Sequence, residues 1–550
     1  MYESWQRKET TARLYLSLAM LAVGAGLLGA AATARGGDAG APIRNGGTFR
    51  IAAISGIGNI DPALLDGAGF DLIEPTCARV MAYPDKAPPQ GFRLAPDVAS
   101  RVPRLSRDGK TYTFTLRRGV RFSNGAPVRA SAFAWAITRT LRLNQGDAIQ
   151  LVQDIVGADR VLEGKAQTVT GITARGNRLV IRLTRPAPAF PARLAAPWFC
   201  AVPPSLPVDP EGVTTFPAAG PYYVAENVRG RRIVLRRNRF YRGSRPHHVV
   251  SFVVDGLAGS FEEVLDRIER GTADWGQVPP SEQLQRGLQK KYGVNRSRFF
   301  LKPGLVFRHY HFNTSRPLFR NNARLRRAVN FAVNRAAVRA AWEGRLGSRL
   351  TDQYLPPGLF GFRDARIYPL DRPDARRARA LASGHRRSGK AVLYTFDFPP
   401  SIAAAQVIKK NLATIGLAVE VKGIPPTAYY QRIAGNPAEP WDIAYADWAP
   451  DHLDPYTYLN LLLDGQFARE NNLSHFNSPK YNRLLRRTAR LRGAARYRAY
   501  ADLDVRLARD AAPILAIGYL NDATFISKRV DRRCIVLRPT LVLDAVCLKR

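Results

Sequence analysis

Residues 107–125 have the sequence RDGKTYTFTLRRGVRFSNG. The dipeptide Asp108-Gly109 is typical of a tight turn between two strands. After it, apolar residues alternate with threonine over residues 111–116, which places the apolar side chains on one face of a strand. Asn124-Gly125 signals a second turn, and residues 133–141 can continue as a helix. The segment therefore predicts a β-hairpin that leads into a helix.

Five further segments have recognisable patterns, and they are residues 220–224 (GPYYV), 235–241 (LRRNRFY), 271–274 (GTAD), 312–335 and 451–455 (DHLDP). Together with the hairpin, and in this order, they resemble the bacterial extracellular solute-binding proteins of the peptide/nickel-binding family. Members of that family are the receptors that deliver solutes to ABC importers. The resemblance extends from about residue 46 to about residue 520.

The helix after the hairpin departs from the family pattern at its first turn. In the family this helix opens with Thr and, three residues later, Asp, a pairing suited to a capping box. Here the two positions hold Arg129 and Ala132, so the reciprocal cap is lost. The sequence therefore leaves the first residue of this helix open.

The chain has 550 residues, more than one hydrophobic core usually supports, so we expect at least two domains. Strand-like and helix-like segments alternate over most of it, which predicts an α/β protein. The resemblance implies a two-lobed fold of the type II periplasmic-binding-protein (venus-flytrap) kind with a discontinuous first lobe. Lobe I is expected at 46–305, with 517–550 returning to it, and lobe II at 306–516. The crossing segments are expected near 306–312 and 513–519.

Two helices of lobe II can be predicted from hydrophobic spacing. Apolar residues over 325–333 follow helical periodicity and define one buried face. Residues 402–412 form a second amphipathic helix, for which Gly416 is a suitable C-terminal cap. The alternation over 417–421 then predicts a strand.

The N-terminal segment predicts the compartment. Three basic residues precede an apolar run at 14–34 that ends in Ala-Thr-Ala, as in a secretory signal cleaved after Ala34. The run is also long enough to span a bilayer, so residues 1–34 are either a signal peptide or an uncleaved membrane anchor. Residues 35–45 predict a flexible lead-in. We therefore expect an extracytoplasmic protein, in the periplasm or at the outer face of the cell membrane.

The formal net charge of +39 raises the question of nucleic-acid binding. The arginines are spread along the chain and form no recognised nucleic-acid motif, so nucleic acid is not an expected partner. Residues 433–468 depart from this excess, because they contain six acidic residues and neither Lys nor Arg. An acidic segment in a basic protein is where a cationic ligand group would bind.

Four cysteines follow the export signal: Cys77, Cys200, Cys534 and Cys547. None lies in the closely spaced pairs that are typical of zinc sites. An oxidising compartment favours disulfides, and three connectivities are possible. We favour Cys77–Cys200 and Cys534–Cys547, with buried free thiols as the alternative.

The sequence contains no P-loop, no Gly-x-Ser-x-Gly motif and no His-Glu-x-x-His motif. No cofactor is therefore expected, and the chain is not predicted to be an enzyme. His309 and His311 would share one face of a strand and would bind a metal only with a third ligand. They are explained more simply as the polar edge of a strand, so no metal site is predicted.

The resemblance implies that an extended peptide is held between the lobes and hydrogen-bonds as an added strand. In the family a carboxylate of the second lobe binds the α-ammonium of the peptide, and Asp451 falls on that position. Trp448 would form an apolar wall of the pocket. Ser55 and Gly56, in the first-strand segment of lobe I, would approach the peptide backbone closely because their side chains are small. The alternatives are that Asp451 caps a turn and that Trp448 belongs to the core.

These inferences predict a monomeric receptor that binds short peptides and delivers them to the membrane permease of an ABC importer. A second interpretation keeps the fold and changes the solute to an oligosaccharide or a nickel chelate. A third is a receptor that signals to a sensor partner. A hydrolase acting on cell-wall peptides is disfavoured, because no nucleophile and base can be paired.

Overall fold

The structure, a computed structural model, describes residues 43–549 except 55–57, 66–68, 279–280, 436–438, 451, 469 and 539. The expected export signal at 1–34 lies outside the described residues. Within the described part of the chain, no helix combines the length and the apolar character needed to cross a membrane.

The strands are β1 (Thr48–Ala53), β2 (Met81–Ala82), β3 (Ala95–Pro96), β4 (Arg104–Leu105), β5 (Thr111–Thr115), β6 (Ile172–Arg175), β7 (Arg178–Arg182), β8 (Tyr222–Val228), β9 (Arg232–Arg237), β10 (Ser251–Leu257), β11 (Trp275–Gln277), β12 (Phe299–Phe312), β13 (Ser348–Leu350), β14 (Lys390–Phe396), β15 (Ala418–Ile424), β16 (Ile443–Trp448) and β17 (Ile514–Ile526). The helices are α1 (Gly69–Ile73), α2 (Ala130–Arg142), α3 (Gly146–Val152), α4 (Ala158–Leu162), α5 (Phe190–Arg193), α6 (Phe261–Arg270), α7 (Glu282–Tyr292), α8 (Ala323–Ala332), α9 (Arg335–Glu343), α10 (Ala375–Ala382), α11 (Pro399–Ala413), α12 (Pro426–Gly435), α13 (Pro455–Leu463), α14 (Pro479–Arg490) and α15 (Gly493–Arg506).

The chain divides into two compact units, and both of them are built from separate segments of the chain. Among the described residues, lobe I comprises 43–278 together with Gln289–Phe300 and 524–549. Lobe II comprises the described residues of 281–288 and of Leu301–Ala523. The lobe boundaries therefore fall inside the long strands β12 and β17, a few residues away from the positions expected from the sequence. The inclusion of residues 281–288 in lobe II was not expected.

Lobe I contains a mixed sheet and a smaller antiparallel sheet. The mixed sheet has the order β11-β1-β10-β9-β8, with β1 parallel to β10 and the end of β17 paired to β11. The smaller sheet has the order β4-β5-β7-β6. Each sheet covers its own hydrophobic core.

The predicted hairpin is present in the smaller sheet. Gly109 adopts a φ of 74° in the turn before β5, a conformation that glycine reaches without strain. Tyr112, Phe114 and Leu116 are buried together on the inner face, as their alternation with threonine predicted. Helix α2 follows and begins at Ala130, and its N-cap residue Arg129 makes no side-chain capping hydrogen bond. The loss of the capping box therefore leaves the helix intact but uncapped.

Lobe II is built on a sheet of the order β15-β14-β16-β12-β17, with β13 paired to β17. β14 runs parallel to both β15 and β16, whereas β12 is antiparallel to β16. The predicted helices are α8 and α11. Gly416 has a φ of 72° between α11 and β15, so the predicted order of helix, glycine and strand is confirmed.

All four cysteines are paired within lobe I. Cys77 is bonded to Cys200, and Cys534 is bonded to Cys547. Both pairs are buried, and they are the two pairs that the sequence favoured.

Candidate functional site

The parallel strands of lobe II end at a common edge of the sheet. β14, β15 and β16 end at Phe396, Ile424 and Trp448, and Phe307 of β12 lies opposite Trp448. Ligand sites of open α/β sheets form beyond the carboxyl ends of parallel strands. We name this surface the carboxyl edge of lobe II and define it by Phe307–Arg308, Trp342–Glu343, Phe396–Phe398 and Tyr445–Trp448.

A buried ion cluster lies at the carboxyl edge. The Arg308 side chain is 2% exposed and donates to Asp447 through Nε (3.1 Å) and Nη2 (2.8 Å). Its third nitrogen, Nη1, donates to Glu343 Oε2. The Tyr445 hydroxyl donates to Asp447 at 2.6 Å. Burial lowers the pKa of Arg308, but the two carboxylates raise it above the ordinary value, so the guanidinium stays charged.

Aromatic side chains surround this cluster. Trp342 stacks on Tyr445 with ring centroids 4.4 Å apart, and the Arg308 guanidinium carbon lies 4.4 Å from the Trp342 centroid. Phe398 meets Trp342 edge to face at 5.5 Å. Trp342 and Phe398 are half-buried, so part of each ring faces solvent. The sequence interpretation missed both residues, although the alternating aromatic residues Tyr394, Phe396 and Phe398 were a usable signal.

Trp448 is the predicted pocket residue that the structure describes. It is half-buried and packs against the apolar cluster that includes Phe307 and Tyr458. Its indole N–H is buried and has no hydrogen-bond partner among the described residues. A buried donor of this kind usually has a partner, so the indole can serve as a donor to a bound molecule. Trp448 is thus both part of the core and part of the edge.

The acidic segment at 433–468 does not form a free negative patch. Its described aspartates all form ion pairs with arginines from other parts of lobe II, and the pairs are Asp442–Arg316 (2.9 Å), Asp447–Arg308 (2.8 Å), Asp454–Arg496 (2.5 Å) and Asp464–Arg486 (3.1 Å). Glu439 accepts a hydrogen bond from the Tyr394 hydroxyl. The expectation of an acidic patch was therefore wrong for the four aspartates, because arginines from other segments neutralise them.

Three of the predicted site residues, Asp451, Ser55 and Gly56, lie outside the described residues. The elements beside them are described. β1 ends at Ala53, just before Ser55. Asp451 stands between Trp448 at the end of β16 and Asp454, which caps α13 by accepting from the Tyr456 N–H. The assignment of these three residues to a ligand site stays a prediction.

His309 and His311 do not lie at a strand edge, as the simpler interpretation had it. Their strand β12 is central, with β16 on one side and β17 on the other. His309 Nδ1 donates to the Phe307 carbonyl at 2.9 Å, and the two Nε2 atoms are 2.9 Å apart. Burial lowers the pKa of His309 to about 4 and that of His311 well below the ordinary value. No group of three metal-ligating side chains exists within the described ranges.

The buried histidine pair predicts a pH-dependent stability. A histidine with a lowered pKa in the folded state stabilises that state fully at pH values above 6.5, its pKa in the unfolded chain. This stabilisation is lost as the pH falls toward about 4, the pKa in the folded state. For His309 the loss amounts to about 3 kcal/mol of unfolding free energy. The His309→Gln/His311→Gln variant should therefore show a flatter profile over this range in urea denaturation. Parallel profiles for the two proteins would contradict the assignment.

Comparison with known proteins supports the family resemblance. Residues 93–469 match the family described as bacterial extracellular solute-binding proteins, family 5 Middle. The chain is 25% identical over 443 residues to the probable D,D-dipeptide-binding periplasmic protein DdpA of Escherichia coli (strain K12), covering 78% of this chain and 80% of DdpA. It is 24% identical over 441 residues to the periplasmic oligopeptide-binding protein OppA of the same strain, covering 76% of this chain and 78% of OppA.

A solved structure shows the same fold. The clavulanic acid biosynthesis oligopeptide binding protein 2 has a TM-score of 0.80 and 23% sequence identity, over 92% of this chain and 96% of that protein. This similarity confirms the two-lobed α/β fold class expected from the sequence. The match over residues 93–469 covers more than half of the chain. The chain therefore belongs to the bacterial extracellular solute-binding proteins of family 5.

Proposed function

We propose that this protein is the solute receptor of an ABC importer, that its solute is a short peptide, and that it delivers the peptide to a membrane permease. The observation that carries the proposal is the family match over residues 93–469. Two relatives that align with more than three quarters of the chain are named for dipeptide and oligopeptide binding. The protein acts as a monomeric receptor and not as an enzyme.

The carboxyl edge of lobe II supports a peptide as the solute. A peptide carries an α-ammonium, backbone carbonyls and apolar side chains. Trp448 offers a free N–H to a carbonyl, and the half-buried rings of Trp342 and Phe398 offer apolar surface. Asp451 supplies the carboxylate for the α-ammonium in this proposal. The other acids of the segment are already paired, so Asp451 is the carboxylate best suited to a cationic group.

Residues 1–34 provide the export step in this proposal. The basic start, the apolar run and the small residues before Ala34 suit a signal that directs the chain across the membrane. Membership of an extracellular family supports a location of the receptor domain outside the cytoplasm. Cleavage after Ala34 would release it, and retention of the run would leave it anchored to the outer face of the membrane.

Thermal unfolding with and without peptides tests the proposal. The chain lacking residues 1–34, freed of bound solute, is mixed with a pool of short peptides. A peptide at about 100 times its dissociation constant should stabilise the folded protein by about 2.7 kcal/mol, so the midpoint of unfolding should rise. The matched control is the same pool with acetylated N-termini, which lacks the α-ammonium and should give a smaller rise.

The two remaining outcomes are equally informative. A rise that is equal for free and acetylated peptides would support peptide binding but remove the α-ammonium contact. No rise with either pool, for a protein shown to be folded, would contradict a peptide solute. The oligosaccharide and the nickel chelate would then be tested in the same assay.

A further inference from the structure

Lobe I carries a cavity that the proposed peptide receptor does not use. It lies beside the loop between β5 and α2 and has a volume of about 240 Å³. The residues that line it include Arg117, Arg118, Arg121 and Arg129, together with Asn177 from the turn between β6 and β7. All four arginines are exposed, so their charged groups are open to a molecule from solution.

The loop that presents these arginines is held firmly. Phe122 and Val128 point into the core and are 2% and 3% exposed. The Val128 N–H donates to the Val120 carbonyl at 2.9 Å, and the Leu116 N–H donates to the Asn177 carbonyl at 2.8 Å. Arg121 directly precedes Phe122, and Arg129 directly follows Val128. Their backbone positions are therefore fixed before any ligand arrives, which lowers the entropic cost of binding.

The four charges are not neutralised by the protein. None of the four forms an ion pair with another described residue, and their contacts are to neutral acceptors. Arg121 Nη1 donates to the Gly125 carbonyl at 2.8 Å, and Arg129 Nη1 donates to Asn177 Oδ1 at 3.3 Å. Buried arginines of the same lobe behave differently, as the ion pairs Arg139–Asp61 and Arg193–Asp154 show. The cavity is thus a site of uncompensated positive charge.

The start of α2 adds to this charge. Arg129 is the N-cap residue of this 13-residue helix, makes no capping hydrogen bond, and is followed by a first turn without an acidic residue. The positive end of the helix dipole is therefore unopposed next to the guanidinium groups. The family's Thr and Asp would cap and neutralise the same turn, whereas this chain has Arg129 and Ala132 there.

We propose that this cavity binds a phosphate-bearing group, either a soluble phosphomonoester or diphosphate or the headgroup of an anionic phospholipid. Several guanidinium groups on a fixed loop match the oxygens of such a group, because each planar fork can donate two hydrogen bonds. A singly charged carboxylate would leave most of the positive charge unpaired. The site belongs to lobe I alone and is independent of the peptide proposal.

Calorimetric titration of the full-length chain in non-ionic detergent with inorganic pyrophosphate tests the site. The variant Arg118→Gln/Arg121→Gln/Arg129→Gln should bind with at least about tenfold lower affinity, because three charge-assisted contacts are lost. The matched control is Arg483→Gln/Arg487→Gln/Arg490→Gln, which removes equal charge from exposed, unpaired positions on α14 in lobe II. Its affinity should stay within about twofold, since diffuse charge is screened by salt. The substituted residues are all exposed, so both variants should unfold at the wild-type temperature.

Vesicle binding distinguishes the two sources of phosphate. Vesicles of phosphatidylcholine with phosphatidylglycerol are compared with vesicles of phosphatidylcholine alone. If the lobe I variant, but not the control, loses binding to the anionic vesicles, the ligand is a lipid headgroup. If it loses only pyrophosphate binding, the ligand is soluble. Equal behaviour of the two variants with both probes would overturn the proposal, because the net charge alone would then explain binding.

Discussion

Replacing Arg308 with Met should lower the free energy of unfolding by about 3–5 kcal/mol, the range found when one partner of a buried ion pair is removed. Met keeps most of the apolar volume, so the loss reports on charge. The change leaves Asp447 and Glu343 without their cation, and the side chains of these acids are 5% and 0% exposed. The variant should also lose the cation that lies 4.4 Å from the Trp342 ring.

The effect of Arg308→Met should depend on pH in a defined direction. Burial already raises the pKa of Glu343, and Arg308 offsets part of that rise. Without Arg308 the folded pKa rises further above the unfolded value. A raised carboxyl pKa costs stability as the pH increases, so the loss should be larger at about pH 8 than at about pH 5.

Urea denaturation followed by tryptophan fluorescence measures the Arg308→Met loss. The matched control is Arg363→Met, which breaks the ion pair between Arg363 and Asp502. The side chains of Arg363 and Asp502 are 53% and 55% exposed. Surface pairs of this kind contribute about 0–1 kcal/mol, so the control should stay close to the wild type. If Arg308→Met lowered the free energy of unfolding no more than the control does, the ion cluster at the carboxyl edge would not stabilise lobe II.

Local patterns were the part of the fold that the sequence predicted well. The alternation over 111–116 and the turn at Asp108-Gly109 specify the hairpin without help from distant residues. The same holds for α11, Gly416 and β15, because helix periodicity and a left-handed glycine are both local signals. The sequence also predicted the missing cap at Arg129, since a capping box depends on two positions only three residues apart.

Long-range pairing explains where the sequence interpretation failed. His309 and His311 alternate with aromatic residues, which looked like the polar edge of a strand. Their strand pairs with β16, and His309 lies opposite Ala446, a partner far away along the chain. No local pattern records such a neighbour, so the sequence predicts a strand edge where the fold has a central strand.

The prediction of an acidic patch at residues 433–468 failed for the same physical reason. Its lack of Lys and Arg is a property of the sequence, but its electrostatics depends on which side chains reach it in the fold. Arg308, Arg316 and Arg496 come from other segments and neutralise Asp447, Asp442 and Asp454. The lobe boundaries were displaced because β12 and β17 cross between the lobes without a break in composition. The family pattern, by contrast, predicted the fold class correctly because it integrates such long-range information.

Replacing Asp451 with Asn should lower the affinity for short peptides by at least about tenfold, because a charge-assisted hydrogen bond to the α-ammonium becomes a neutral one. The substitution keeps the shape of the side chain, so the folded protein should retain its thermal stability. The affinity for N-acetylated peptides should hardly change, since these peptides have no ammonium to lose. Isothermal titration of the wild type and of Asp451→Asn with both peptide forms gives the coupling energy between Asp451 and the ammonium directly.

Asp397→Asn is the matched control for this contact. Asp397 is exposed and immediately follows β14. The substitution Asp397→Asn therefore removes one negative charge from the same carboxyl edge but leaves the carboxylate of Asp451 in place. If peptide affinity depended only on the general field at this edge, the two variants would weaken binding alike. A contact with Asp451 requires instead that Asp397→Asn bind free peptides nearly as the wild type does. It also requires that the preference for free over acetylated peptides be lost only in Asp451→Asn, and an unchanged preference there would remove Asp451 from the site.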